Sequence, residues 1–346
     1  MHWMRFAKNL PPGYFTLVMA TGVVALACHR WDWNSLAWGL TVFNLGAFAV
    51  LCLLTMLRSC FCFPSLIHDL SQHATGPGFF TAVAGSAVLG SQMGMVLQDW
   101  VGAAVLWFVS LLLWLVLCCT FFPLVAVKEQ KPDLAHEVNS LWLVVVVATQ
   151  SLSVLAGMLA GHAVWMEPAA WLWLATGFHL LGILLYMLIM PSVFQRVFFE
   201  PLSLRDVDPP YWINMGVEAT TTLAGVQLVR HASHFGWLHD MSGALKLATL
   251  AFWTLSGWWL PILLALGFWR HVLARLPIRY QPGYWGLVYP LGMYSLGTLA
   301  LSQEFALPIL RHLSVGVLLV ALLAWGLTFI GLSHQGWRLA VKQPRR

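Results

Sequence analysis

Pro210-Tyr211-Trp212-Ile213-Asn214-Met215-Gly216-Val217-Glu218-Ala219-Thr220-Thr221-Thr222-Leu223-Ala224-Gly225 is the stretch on which the fold turns. It opens on a bulky aromatic pair and runs into small and hydroxyl-bearing residues. Four other segments share the design, opening at Gly13-Tyr14-Phe15, Gly78-Phe79-Phe80, Ser140-Leu141-Trp142 and Gly283-Tyr284-Trp285. Their first bulky residues are 65, 62, 70 and 73 positions apart, close to the 69 or so residues in one fifth of the chain. A fixed period of this kind marks an internal repeat. Each unit is long enough for one helical hairpin, and five hairpins in one orientation can close into a quasi-fivefold ring with one helix of each pair inside.

Composition decides where such hairpins live. The 346 residues are 60% hydrophobic and 9% charged, whereas a soluble domain is about 45–50% apolar and about 25% charged. Polar side chains this few cannot cover the core, which excludes an ordinary soluble enzyme, a disordered chain and a nucleic-acid binder. The net charge of +5 is read as an orienting signal in a membrane protein. The six cysteines show no paired C-x-x-C spacing, and Cys60-Phe61-Cys62 reads as a short loop. The N-terminal run through Phe15 lacks a small-residue cleavage site and reads as a cytoplasmic lead into the first span.

Apolar runs bounded by charge, Pro or Gly predict ten spans, at roughly 13–29, 36–57, 78–97, 101–123, 140–163, 168–191, 210–229, 244–269, 284–303 and 312–333. They group into one transmembrane domain over 1–346, with hairpins at 13–57, 78–123, 140–191, 210–269 and 284–333. With the N-terminus inside, 14 basic residues fall on the inner side and four (Arg30, Arg230, Lys246, Arg311) on the outer. That asymmetry predicts both termini in the cytoplasm and a multi-pass protein of the inner membrane. The odd spans carry Gly, Ala, Ser and Thr, and the even spans read Leu, Val and Trp. Small helices can line a wet cavity, and large apolar ones face lipid. The 20 tryptophans read as interfacial belts.

The run Pro209-Pro210-Tyr211-Trp212-Ile213-Asn214-Met215-Gly216, with Thr220-Thr221-Thr222-Leu223-Ala224-Gly225 after it, resembles the seventh helix of the tellurite-resistance/dicarboxylate transporter family. That family includes TehA-type proteins, the yeast malate permease, sulfite efflux pumps and plant slow-type anion channels. Pro12-Gly13-Tyr14-Phe15 and Trp258-Trp259-Leu260-Pro261 are similar too. The resemblance implies a homotrimer with a separate pore through each protomer. It also implies transport of a small anion: a C4-dicarboxylate, a tellurite-type oxyanion, sulfite or an inorganic anion. Membrane lipid is the other partner, and no cofactor is implied.

The family's gate is a ring in the ninth helix, usually Phe before Pro, and the matching residues here are Tyr289-Pro290. Five positions past each repeat's first bulky residue stand Met19, Ala84, Val146, Gly216 and Tyr289. Four are small or flexible, which leaves room for one ring to plug a lumen. Gly22, Ala87, Thr149, Ala219 and Gly292 complete the candidate pore lining.

Glu218 departs from the family's usual apolar residue, and a carboxylate at mid-span is paired or functional. It lies about 200° around the helix from Gly216. If Gly216 faces the lumen, Glu218 points at neighbouring helices, with His179 or a Thr as its partner, or serves proton coupling. Asn214 and Gln150 can orient substrate or bond between helices. No phosphate-binding loop, HExxH or GxSxG occurs. The rival reading, a haem-binding redox protein, needs paired inward-facing histidines, and only His179 lies well inside a span.

Overall fold

A computed structural model describes residues 8, 10–130, 138–201 and 209–341, with side chains to 338. Arg5, Lys131, Arg205, Lys342, Arg345 and Arg346, counted above on the inner side, lie outside the described residues. Among the described residues the secondary structure is entirely helical, with twelve α-helices. These are α1 (Thr16–Arg30), α2 (Asn34–Phe61), α3 (Phe63–Leu70), α4 (Thr81–Leu97), α5 (Trp100–Ala126), α6 (Val144–Ala160), α7 (Pro168–Phe199), α8 (Ile213–His231), α9 (Gly236–Asp240), α10 (Ser242–Phe268), α11 (Trp285–Glu304) and α12 (Ile309–Val341).

Two classes of long helix separate by burial. In α1, α4 and α6, with the turns that lead into them, 78%, 78% and 94% of the most apolar window is buried. In α2, α5, α7, α10 and α12 the share is between 22% and 33%. Helices α8 and α11 are buried along nearly their whole length and join the first class. The inner helices have 15 to 20 residues and the outer ones 27 to 33. The outer helices present large apolar side chains outward, among them Leu53, Leu112, Leu188, Leu247, Leu264 and Leu323. Water would not tolerate such a surface, and lipid does.

Eight helices are long and apolar enough to cross a membrane among the described residues. The two inner helices outside that set, α8 and α11, were also predicted as spans. Asn214, Glu218, Thr220–Thr222 and Gln227 dilute the first, and Gly, Ser, Thr and Pro290 dilute the second. The protein is a multi-pass, all-α membrane protein.

Each inner helix is preceded by a 3-10 turn: Pro12–Phe15, Gly76–Phe80, Ser140–Leu143, Pro209–Trp212 and Pro282–Tyr284. The bulky pairs quoted above sit on or at the end of these turns. Proline at the start of four of them suits a position whose N–H needs no helical acceptor. Each turn packs on the next, and the fifth packs on the first. The helices repeat the pattern: α1 packs on α4, α4 on α6, α6 on α8, α8 on α11 and α11 on α1. Each outer helix packs on the inner helix before it in the chain. The α1–α2 and α4–α5 connections pass through Asp32 (φ 59°) and Gln98 (φ 58°) in the left-handed region that ends a helix abruptly.

Helix ends depart from the predicted limits. The predicted sixth span ends at Pro191, yet α7 continues to Phe199. The sequence places Cys60-Phe61-Cys62 in a short loop, but α2 continues through Cys60 and Phe61, and α3 follows with Pro64 in its first turn. Arg58 explains this order: one guanidinium nitrogen donates to Leu10 O at 2.7 Å, and another pairs with Asp69 on α3. A buried charge with two partners ties the chain's start to this short helix.

Four tryptophans depart from the belt reading. Trp114 Nε1 on α5 donates to Thr149 Oγ1 on α6 at 2.9 Å. Trp253 on α10 reaches Thr298 on α11 at 3.0 Å, and Trp325 on α12 reaches Thr21 on α1 at 3.0 Å. Trp107 Nε1 donates to Leu152 O at 2.9 Å. These indoles bond inner helices to outer ones within the apolar layer, where association depends on packing and hydrogen bonds.

Candidate functional site

Tyr289 and Pro290 lie on α11 against Gly216 on α8. A β-carbon added to Gly216 would stand 2.9 Å from Pro290 Cγ and 3.4 Å from Tyr289 Cδ1. Glycine is therefore what lets the ring and the proline approach α8 so closely. Tyr289 is 1% exposed. Its hydroxyl lies 2.8 Å from Thr220 Oγ1. The Thr220 hydroxyl donates to Gly216 O at 2.7 Å. With its one proton used, Thr220 accepts and Tyr289 donates. Ser151 on α6 interacts with the same phenol. The phenol of α11 thus reaches two other inner helices, α8 and α6. Proline at 290 has no N–H for the carbonyl of Gly286, which leaves the helix one bond short beside that ring.

A small cavity of about 20 Å³ lies one to two turns beyond Tyr289. All five inner helices contribute to it: Val23 and Leu26 (α1), Ser91 (α4), Ser151 (α6), Leu223 (α8) and Leu296 (α11). That volume suits about one water molecule. Its lining is neutral and mostly apolar, with two serine hydroxyls.

The predicted lining residues are placed unequally. Ala87 touches the cavity. Met19, Ala84, Val146 and Ala219 are buried. Gly22 faces Val88 and Gln92 of α4 and Asn44 of α2, so it serves close helix packing. Gly292 packs on Val23 and Val24 of α1. Thr149 turns outward to accept from Trp114. Three residues past the gate level is about 300° of rotation, about 60° off the starting face, so the step still reaches the cavity at Ala87, while at Gly22, Thr149 and Gly292 the same step meets neighbouring helices.

Glu218 points away from the cavity. Its Oε1 accepts from Tyr186 on α7 at 2.5 Å and from Trp259 Nε1 on α10 at 3.1 Å. The expected partner, His179, is elsewhere: its Nδ1 lies 3.0 Å from Gln150 Oε1, and Gln150 Nε2 donates to His179 O at 3.2 Å. Glu218 Oε2 and both amide atoms of Asn214, one turn earlier, are buried without a partner among the described residues. Sequence reasoning missed Tyr186 and Trp259, whose signal was a polar-tipped aromatic in the middle of an apolar helix. It also missed the buried link in which Asn44 Nδ2 donates to Gln92 Oε1 at 2.6 Å and to Val18 O at 3.0 Å.

Residues 9–333 match the SLAC1 family of voltage-dependent anion channels. The chain belongs to this family. Two uncharacterised transporters of Methanocaldococcus jannaschii are 23% and 22% identical to it, over 93% and 94% of this chain and 92% and 94% of theirs. An uncharacterised membrane protein of Mycobacterium tuberculosis is 37% identical over 150 residues, 43% of this chain and 76% of that protein. The chain is thus an anion channel or transporter of the SLAC1 family, not an enzyme.

Proposed function

We propose that the chain passes small anions through a lumen enclosed by a ring of α1, α4, α6, α8 and α11, with Tyr289 as its gate. The observation that carries this reading is the cavity touched by all five inner helices next to a buried phenol that bonds across them. The closed series of contacts among inner helices and among their leading turns supports the ring. The five hairpins then span the membrane ten times, α8 and α11 included, with both termini cytoplasmic. Because the ring is shut inside one chain, each protomer of a homotrimer has its own pore, and lipid covers the remaining outer faces.

Space for about one water admits no C4-dicarboxylate without movement of Tyr289. A neutral lining replaces little of an ion's hydration, so readily dehydrated inorganic anions pass best. Sulfite, tellurite-type oxyanions and dicarboxylates require a wider opening. Glu218 acts as a structural link from α8 to α7 and α10, because both of its donors belong to outer helices.

The test is flux through the purified protein in liposomes with chloride, nitrate, sulfite, tellurite and malate offered singly. Nitrate and chloride are expected to pass fastest. Flux of malate alone would assign the pore to dicarboxylates, and no flux of any anion would sink the reading.

A further inference from the structure

We propose that Arg30 and Arg230 form an anion-receiving site at the end of the bundle where the inner helices finish, taking a small oxyanion or halide before it enters the lumen. The inference rests on the anion-passage reading and adds a charged site to a pore whose sequence showed none. Helical periodicity places it. Leu26, Leu223 and Leu296 line the cavity on α1, α8 and α11. Residues four and seven further along share a helix face. From those three leucines the same faces lead to Arg30, Arg230 and Gln303.

The local contacts agree. Arg230 Nη2 donates to Gln303 Oε1 at 3.1 Å, and its Nε lies 3.6 Å from Glu304 Oε2. Arg30 is exposed at the end of α1, and the charge of Arg230 acts on it. No acid pairs with Arg30 among the described residues. Two guanidiniums therefore face one carboxylate. Of the other acids at this end, the Asp99 carboxylate accepts from Gly102 N at 2.8 Å and caps α5, and Asp32, two residues past Arg30, makes no ion pair with it among the described residues. His162, in the turn after α6, stacks on Trp100 with ring centroids 3.5 Å apart, and burial pushes its pKa below the ordinary histidine value. It is neutral near pH 7, so the arginines supply the local positive charge.

An anion held at this mouth offsets the charge of both guanidiniums, and their planar forks suit oxyanion geometry. Water reaches the site, so binding is weak and salt-sensitive. That suits a site that must release its ion inward.

The experiment uses the full chain in liposomes, with nitrate or chloride offered from each side in turn. Arg30→Gln is expected to raise the half-saturating concentration about five-fold at low salt, on one side only. Arg30→Lys should recover most of the difference, and high salt should erase it. Chloride NMR line broadening on the detergent-purified protein gives a second readout, in which the parent broadens the line and Arg30→Gln removes that excess. Unchanged half-saturation and unchanged line width in a folded variant would overturn the site while leaving anion passage intact. Chloride binding that depends on Arg30 in a protein without flux would keep the site and reject the passage reading.

Discussion

In the proposed gate Tyr289 would close the lumen by two separable means. Its ring fills space, and its hydroxyl ties α11 to Thr220. Tyr289→Ala removes both and is expected to raise anion flux several-fold, measured as liposome uptake per folded protein. Tyr289→Phe keeps the ring and frees the Thr220 acceptor. One hydrogen bond is worth about 1 kcal/mol, so roughly five-fold more opening is expected from Tyr289→Phe, with the anion preference unchanged. A well-folded Tyr289→Ala protein with parental flux would show that the ring is not the gate. At Glu218 the expected result runs the other way. Glu218→Gln keeps an oxygen acceptor for Tyr186 and Trp259, so flux, its pH profile and the melting temperature should change little. Glu218→Ala strands both donors at about 1–3 kcal/mol each, and its thermal unfolding should come several degrees earlier. A flattened pH profile in Glu218→Gln would transfer the residue from structure to proton coupling.

The difference between inner and outer helices follows from what each must touch. Inner helices meet helices on all sides, so Gly and Ala set their spacing, as at Gly22, where an added β-carbon would stand 2.4 Å from Val88 Cγ1. Outer helices meet lipid on one side and need a directional bond on the other. The indole-to-threonine bonds from α5, α10 and α12 supply it at related places in three hairpins. A double-mutant cycle with Trp114→Phe and Thr149→Val should give a coupling energy of about 0.6–1.7 kcal/mol, read from thermal unfolding in detergent. Zero coupling would mean that the bond is incidental to packing. The π-helical turn Trp269–Leu273 at the end of α10 has no physical account in its contacts.

For the whole molecule, the hairpins must share one orientation if the five leading turns are to meet at one face. Reporter fusions after Lys128 and Arg275 are expected to read cytoplasmic, and fusions at Ala163 and His234 periplasmic. The opposite reading at any two of these sites would break the shared orientation and with it the ring. The 14-to-4 division of basic residues motivates the assignment.

Membrane residence, hairpin length and the two helix classes were legible in the sequence because they depend on one-dimensional quantities: hydropathy over about 20 residues, a repeat near 69 positions and side-chain size. The bulky pairs marked the 3-10 turns for the same local reason, since proline and a short turn leave a signature within four residues. The approach of Tyr289 to Gly216 was legible as a matched level in two repeats, but the bond to Thr220 was not, because 69 residues of chain separate its partners. Glu218 was legible as a mid-span carboxylate that is paired or functional, but the sequence offered His179 or a Thr as its partner, and helix rotation alone could not point to Tyr186 on the same helix as His179. Gly22, Thr149 and Gly292 show where the sequence reading stops. All three suit a lumen by size, but their final direction depends on how far each helix turns to fit its neighbours. Arg30 and Arg230 read as two dispersed outer charges in the chain. Only the packing of the inner helices into one bundle brings them to the same end, where the charge of one acts on the other, because charge proximity across helices is a property of tertiary structure.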